Sequence, residues 1–379
     1  MLDQGMIYFH VPFCQSRCIY CDFYSTVNGA EMREAYVQAA CRELDARAQE
    51  WQGNSIASVY FGGGTPSLLT AGQVGRMLDR VAALFPLASD AEITIEGNPD
   101  DITPELPHDW REAGINRASL GVQSFHDETL RLLGRRHTAA QAVRAVNCLA
   151  NAGLDNVSID LMYGLPTQTL EQWGEDLCQA LSLPVKHLSA YALGIEPGTA
   201  LGRKVDSGEL GPVSETLYLS EFEMMMDETL KKGFKHYEIS NFALPGYCSR
   251  HNSGYWKGLP YLGIGPGACS FEGFRTRRTN KPDLAAYVQS DGHPDCEIER
   301  LSLAECFNEY VFTALRTSDG LSLPDLAERF PEEWASELLE AAQRSVSAGH
   351  LKLDGDDVLR LTRSGLFVSN DVMSDLMRV

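Results

Sequence analysis

The chain has 379 residues, a formal net charge of −20 and 44% hydrophobic residues, which is enough for a large core and an appended domain. Such an acidic balance argues against a nucleic-acid partner, because nucleic-acid binders need a basic face toward the phosphates. No run of about 18 apolar residues occurs and the start lacks a signal peptide, so we expect a cytoplasmic protein whose ten cysteines stay reduced.

The first half of the chain alternates between short β-branched or aromatic runs and helical stretches. This alternation predicts β-α units that build a parallel sheet. The predicted strand cores are residues 7–9, 58–61, 92–95, 117–120, 157–161 and 188–191, and the clearest helices are 31–51, 71–84 and 138–152. Six such units predict an α/β fold of the three-quarter TIM barrel type.

Three cysteines follow the first predicted strand, in the spacing C-x3-C-x2-C. Cys14, Cys18 and Cys21 are close enough for one loop to hold one inorganic cluster, and thiolates are the usual ligands of a [4Fe-4S] cube. Three ligands leave one iron open to a cofactor or substrate. A structural zinc site, a disulfide framework and unrelated core cysteines are the alternatives, and each fits this spacing less well.

Polar and glycine residues stand at the ends of the next four predicted strands. These ends carry the run 62–66 (Gly-Gly-Gly-Thr-Pro), Glu96, the run 121–123 and Asp160. Because the carboxyl ends of parallel strands converge, we expect one shared site there. Glu96 and Asp160 are candidate acceptors for ribose hydroxyls or an ammonium group, and Gln123 and Arg135 are candidate partners for polar cofactor groups. A capping or salt-bridge role is the alternative for each.

The alternation ends after residue 191. A helix is predicted over 214–232 and a strand over 235–239, followed by a loop over 248–256. This loop contains His251, Asn252, Tyr255 and Trp256, a set that can ligate a metal axially and pack against a flat macrocycle. The alternative is a surface loop whose aromatic side chains pin it to the barrel.

From residue 301 onward we predict a separate small domain. Helices are expected after Ser302, after Ser322 and over 332–348, and a hairpin with a two-residue Asp354-Gly355 turn should follow. This order is typical of a winged-helix-like module, whose acidic character favours substrate covering or partner docking over DNA binding. The predicted organisation is therefore a barrel over 1–200, a barrel extension over 201–300 and the small domain over 301–379.

These motifs resemble the radical S-adenosylmethionine (SAM) superfamily. Within it, the chain is similar to the oxygen-independent coproporphyrinogen III oxidases (HemN) and their relatives, the heme chaperones HemW. The resemblance covers essentially the whole chain and rests on Tyr8 and His10 before the cysteines, on the runs 61–66 and 121–123, and on the run 160–166. By this resemblance, the residues that contact SAM are Tyr8, Gly64, Thr65, Glu96, Gln123, Arg135 and Asp160.

Two departures separate the chain from the oxidases. Phe23 stands where they carry a further cysteine, and only residues 1–5 precede Met6, where the oxidases have an extension. The run from His251 to Trp256 instead matches H-N-x-x-Y-W, the motif associated with heme in the chaperones. The resemblance implies a heme chaperone with a [4Fe-4S] cluster, SAM and heme, and without coproporphyrinogen oxidase activity; the oxidase is the alternative.

The same resemblance implies a set of partners. These are heme, acceptor hemoproteins such as respiratory enzymes, and an electron donor for the cluster. Any peripheral membrane association would then occur only through an acceptor.

Overall fold

The computed structural model describes residues 4–27, 29–51, 55–211, 213–355 and 357–378, and the bounds below refer to those residues. In chain order, strands β1 to β15 span Gln4–Val11, Ser55–Gly63, Leu87–Gly97, Arg117–Gln123, Val157–Tyr163, His187–Ala192, Lys235–Glu238, Asn241–Ala243, Tyr261–Ile264, Cys269–Phe271, Thr276–Asn280, Cys296–Arg300, Leu321–Ser322, Leu351–Leu353 and Val358–Leu361.

Helices α1 to α15 span Arg33–Arg47, Ala71–Leu84, Leu106–Glu112, Asp127–Leu132, Ala139–Asn151, Leu170–Ser182, Ala200–Asp206, Glu215–Lys231, Arg250–Trp256, Leu284–Gln289, Leu303–Leu315, Leu323–Arg329, Glu332–Ser347, Arg363–Phe367 and Ser369–Ser374. Short 3-10 turns flank α1, so the helix predicted over 31–51 is shorter than expected.

The six predicted strands form the parallel core of the fold. Strands β1 to β6 lie side by side in chain order, and each predicted strand core falls inside the corresponding strand. Helices α2, α5 and α6 between them begin at threonine caps, as in the capping boxes of Thr70 with Gln73 and Thr138 with Gln141. The helix-facing side of the sheet packs tightly, and the centroids of the stacked rings of Phe9 and Phe61 lie 4.7 Å apart there. The predicted three-quarter barrel is confirmed.

Further strands extend both edges of this sheet. Strands β8 and β7 continue it antiparallel beyond β6, whereas β9 pairs parallel with β1 and leads into β10, β11 and β12. The chain passes from one edge to the other between Ala243, which pairs with His187 at the start of β6, and Tyr261, which pairs with Met6 near the start of β1. This crossing segment therefore closes the amino end of the barrel, which we call the barrel floor.

The crossing segment contains a helix where the sequence predicted a loop, so that prediction was wrong. Helix α9 begins after Ser249, whose hydroxyl accepts a hydrogen bond from the Asn252 amide at 3.2 Å. Its first amides, on Arg250 and His251, donate to the Glu92 carboxylate at 3.0 and 3.2 Å. A carboxylate at a helix amino end compensates the unpaired amides and the helix dipole, which stabilises a short helix with weak intrinsic propensity.

The C-terminal helices and hairpin pack around a second hydrophobic cluster, which involves residues 301–376. Helices α11, α12 and α13 pack with a sheet of order β13-β15-β14, which confirms the winged-helix-like module. The hairpin connection spans four residues, 354–357, rather than the predicted two, and Asp357 adopts a positive φ of 56°. Position 356 of this turn lies outside the described residues. The three-part division at 200 and 300 stays a prediction.

Among the helices that the structure describes, none combines the length and the apolar character that a membrane span requires.

Candidate cluster and cofactor site

The cysteine loop leaves β1 at the carboxyl end of the barrel. The Cys14 amide donates to the Thr26 carbonyl at 2.9 Å, and the Thr26 amide donates to the Pro12 carbonyl at 2.7 Å. These bonds close the base of the loop, and all three predicted ligands, Cys14, Cys18 and Cys21, are half-buried free thiols. The loop thus presents three thiols from a fixed base at the end where barrel chemistry is expected.

Hydrogen-bond donors surround the thiols. Thr65 Oγ1 donates to Cys14 Sγ at 3.5 Å, and Arg135 Nη1 donates to Cys18 Sγ at 3.4 Å. Donors and a positive charge favour thiolate ligands and tune an iron–sulfur cluster. The described residues hold no trio of Cys, His, Asp or Glu side chains packed tightly enough for a single metal ion. Three thiols on one loop, with donors to two of them, fit the ligand set of an iron–sulfur cluster.

The glycine run after β2 is bound to the base of the cysteine loop. The Gly64 amide donates to the Val11 carbonyl at 2.8 Å, and the Thr65 amide donates to the Phe13 carbonyl at 2.7 Å. A Cβ atom on Gly64 would lie 2.7 Å from the Phe13 carbonyl oxygen. Only glycine permits this approach of backbone to backbone. The run therefore holds the cluster loop against the sheet, and its Gly64 and Thr65 stand beside the thiols.

Arg135 connects the cluster loop to the end of β4. Its guanidinium donates to Asn98 Oδ1 at 2.7 Å and also bonds the Gly121 carbonyl. Gln123, at the end of the same strand, is buried and has a φ of 71°. A non-glycine residue in this region of backbone space carries strain, which is common at ligand sites. The structure thus brings Arg135 close to Cys18 and places Gln123 at the same rim.

The other predicted SAM contacts line a small cavity inside the barrel, of about 220 Å³, which we call the barrel cavity. Tyr8, Glu96 and Asp160 lie on its wall. Burial raises the pKa of Glu96 to about 7, with the charge of Asp160 adding to the shift, and burial raises the pKa of Asp160 to about 6. Because burial makes both carboxylates costly to ionise, a cationic ligand would stabilise their charged forms. The pair therefore provides a site for a cationic ligand with hydroxyl groups.

His251 and its neighbours close the barrel cavity from the floor. The His251 imidazole bonds Ser58 Oγ through Nδ1 at 2.8 Å and the Tyr255 hydroxyl through Nε2 at 3.0 Å. The ring is 2% exposed, and burial, with the charge of Arg117, lowers its pKa to about 3. The predicted bond between His251 and heme stays a prediction, and it would require breaking one of these two hydrogen bonds.

Helix α9 presents its other side chains to a second and much larger space. This interdomain cavity, of about 1160 Å³, lies between the barrel extension and the C-terminal domain. Asn252 and Tyr255 line both cavities, whereas Trp256 lines the interdomain cavity alone. The Arg316 guanidinium, from the end of α11, lies 4.6 Å above the Trp256 ring. The four residues of the motif are thus divided between two different environments.

Sequence reasoning missed several side chains that complete the site. Asn98 bonds both Arg135 and, at 3.4 Å, Thr65 Oγ1, so it joins the donors of two different thiols. The sequence feature that could have identified Asn98 as a site residue is its position directly after the third strand. Tyr60 donates to Glu96 at 2.7 Å, and Arg117 is a buried cation in the barrel interior. Both side chains line the barrel cavity from within strands, Tyr60 from the middle of β2 and Arg117 from the start of β4, and in the sequence they resemble ordinary strand residues.

The partial barrel, its three-cysteine loop and the glycine run beside it define a radical SAM protein. The family model of the radical SAM superfamily matches residues 8–177, and that of the HemN C-terminal domain matches residues 301–368. The chain is 35% identical to the heme chaperone HemW of Lactococcus lactis subsp. lactis over 85% of this chain and 84% of that one. It is 41% identical to the heme chaperone HemW of Escherichia coli over 73% of each chain. The chain belongs to the HemW family.

A solved structure supports the fold over the full length. The coproporphyrinogen III oxidase HemN from Escherichia coli superimposes with a TM-score of 0.86 over 99% of this chain and 90% of that one. Sequence identity to it is 23%, so this likeness establishes architecture and not activity.

Proposed function

We propose that this protein is a heme chaperone, which binds heme and delivers it to acceptor hemoproteins, and that its barrel carries a [4Fe-4S] cluster and SAM. The observation that carries the proposal is the match to proteins named heme chaperone HemW, at 31 to 41% identity over most of the chain. The radical SAM family match and the thiol donors described above support the two barrel cofactors.

The residues of the barrel have distinct roles in this proposal. Cys14, Cys18 and Cys21 would hold the cluster, which would supply electrons to SAM bound beside it. Glu96 and Asp160 accept hydrogen bonds from hydroxyl or ammonium groups in the barrel cavity. The remaining contacts with SAM are assigned to Tyr8, Gly64, Thr65, Gln123 and Arg135.

Heme delivery requires further partners, which we infer by class. Acceptors are hemoproteins such as respiratory enzymes, and a reductant must supply electrons to the cluster. Membrane association, where it occurs, runs through the acceptor.

The test is heme transfer by the reconstituted protein under anaerobic conditions. The heme-loaded protein is mixed with apomyoglobin, and the absorbance of holomyoglobin is followed with free hemin and heme-loaded serum albumin as controls. We expect the acceptor to be loaded and the chaperone to be depleted of heme. In a parallel sample with coproporphyrinogen III, SAM and dithionite, no protoporphyrinogen should form above a cluster-free control. Failure to bind heme together with steady decarboxylation would replace the chaperone proposal with the oxidase alternative.

A further inference from the structure

The strand that carries Gln123 ends in an irregular backbone. Its pairing with β5 shifts register between Gly121 and Gln123, so Val122 is an extra residue and forms a β-bulge. The Ser124 amide then donates to the Val122 carbonyl at 2.9 Å across Gln123, whose φ is 71°. This arrangement is the γ-turn with positive φ, which is rare and strained for any residue other than glycine.

The turn directs the Gln123 side chain back over its own strand. A Cβ atom on Gly121 would lie 3.1 Å from Gln123 Nε2 and 3.0 Å from Arg135 Nη2, so this glycine leaves room for both groups. Gly121 pairs with Asp160, which lines the barrel cavity. The Gln123 amide therefore lies beside the Arg135 guanidinium at the cavity side of the strand. Within the described part of the chain, no group forms a hydrogen bond with this amide.

His137 holds the turn from one side. Its ring is buried, and Nε2 bonds the Val122 carbonyl at 3.0 Å. A carbonyl can only accept a hydrogen bond, so Nε2 carries a proton and is the donor. Burial, together with the charge of Arg135, lowers the pKa of His137 to about 4, which keeps the ring neutral near pH 7. The carbonyl that closes the strained turn is thus bonded twice, by the Ser124 amide and by the imidazole.

Asp176 holds the turn from the other side. This buried carboxylate of α6 accepts hydrogen bonds from Ser124 Oγ at 2.8 Å and from the Phe125 amide. The residue that follows Gln123 is therefore fixed through its side chain, and the next one through its backbone. Arg135 also bonds the carbonyl two residues before Gln123. A strained conformation persists only where its surroundings over-determine it, and bonds on both sides of Gln123 meet that condition.

We propose that His137 is a positioning residue: with Asp176 on the far side of the turn, it holds Gln123 so that the side-chain amide meets SAM together with Arg135. This inference rests on the cofactor assignment of the proposed function and adds the residues that build this part of the site. An amide that is already fixed loses little conformational freedom when it bonds a ligand. His137 and Asp176 bond residues 122, 124 and 125, on either side of Gln123, so they act through that residue.

A double-mutant cycle on SAM affinity tests this role. Wild type, His137→Leu, Gln123→Ala and the combined variant are prepared as full-length, anaerobically reconstituted protein and titrated with SAM by calorimetry. Each single variant should lose about tenfold in affinity, the effect of one well-placed hydrogen bond. The combined variant should be no more than about twofold weaker than Gln123→Ala, because His137 then has no amide left to position.

Two further variants test the contact itself. His137→Gln carries an amide near the position of Nε2 and should bind SAM within about threefold of wild type. His137→Asn is too short to reach the Val122 carbonyl and should match His137→Leu; it completes the same cycle if His137→Leu does not fold. His236→Leu is the control, because His236 bonds the Ile239 carbonyl at 3.0 Å but lies on β7 at the sheet edge. It should lower the midpoint of thermal unfolding, as His137→Leu does, and leave SAM affinity unchanged.

Three results would overturn the positioning role. They are unchanged SAM affinity in folded His137→Leu or His137→Asn, losses that multiply to about a hundredfold in the combined variant, and no recovery in His137→Gln. Wild-type protein that binds no SAM at all would instead refute the cofactor assignment of the proposed function, so the two failures are distinguishable.

Discussion

The two ends of the barrel differ in how their polar residues are used. At the carboxyl end, Thr65 and Arg135 direct donors toward the thiols of Cys14 and Cys18, which are proposed to hold the cluster. At the floor, the imidazole of His251 is bonded on both sides, and Glu92 caps the helix that carries it. The first arrangement is prepared for a ligand, whereas the second is already complete within the protein.

This difference explains why the side chains of one motif, from His251 to Trp256, lie in two different environments. Helix α9 closes the barrel with His251 and faces the interdomain cavity with Trp256. These two residues are five positions apart, which puts them on different sides of the helix, so a motif that is continuous in sequence serves the core and the cavity separately.

The largest effect is expected from removing the cluster ligands. Replacing Cys14, Cys18 and Cys21 together by Ala should abolish bound iron and sulfide, because no other thiol lies on the loop. Iron and sulfide analysis after anaerobic reconstitution measures this. A Cys148→Ala/Cys178→Ala variant, altered on helices outside the site, should keep a full cluster. Retention of iron in the triple variant would refute the ligand assignment.

The next effect concerns the contact between the C-terminal domain and the floor. Arg316 forms an ion pair with the buried Glu238 at 3.0 Å and stacks on Trp256. Arg316→Ala should lower the free energy of unfolding by about 3 kcal/mol, because it leaves a buried carboxylate uncompensated. Urea unfolding measures the loss, and adding Glu238→Gln should recover part of it. An unchanged urea midpoint would show that the contacts of Arg316 with Glu238 and Trp256 contribute nothing to the free energy of unfolding.

A third effect concerns the glycine run at the carboxyl end. Gly64→Ala places a Cβ 2.7 and 2.8 Å from two backbone carbonyl oxygens, so β1 and the cluster loop must shift. We expect a loss of about 1–3 kcal/mol in stability and weaker SAM binding by isothermal titration. Gly72→Ala is the matched control, since nothing lies within 4 Å of its Cβ, and it should be neutral or stabilising by up to about 1 kcal/mol. Equal behaviour of the two variants would contradict the packing argument.

The smallest effect is a pH dependence at the floor. The folded state holds His251 with a pKa of about 3, against an ordinary 6.5, so the unfolded state binds the proton first as the pH falls. Stability from this group is present above about pH 6.5 and is lost between pH 6.5 and 3. Between pH 7.5 and 5.5 it changes by about 1.4 kcal/mol.

The His251→Gln variant removes this contribution. Urea unfolding at the two pH values should show a pH dependence smaller by about 1.4 kcal/mol in the variant than in the wild type. The histidines His187 and His236, which burial also keeps neutral, remain in both proteins and cancel in the comparison. An identical pH dependence would show that His251 is protonated at its ordinary pKa and is not enclosed.

Much of the barrel was predictable because its signals are local. The strand cores and the helices over 71–84 and 138–152 each depend on a few adjacent residues, and they were confirmed. The cysteine spacing is equally local, and its role in holding a cluster stays a prediction. Helix α9 was missed because it is seven residues long and is stabilised by Glu92, which lies 157 residues earlier than Ser249. The interdomain cavity was missed for the same reason, since its walls come from β7, α9, β11 and α11.

The most direct test of the account is the heme affinity of the cluster-free protein. The Cys14, Cys18 and Cys21 triple Ala variant is titrated with hemin beside the reconstituted wild type, under the same anaerobic conditions. If heme lies at the floor and the cluster at the opposite end of the barrel, the two dissociation constants should agree within about twofold. A variant that loses heme binding together with its cluster, while remaining folded, would show that heme and cluster share one site and would contradict the separation.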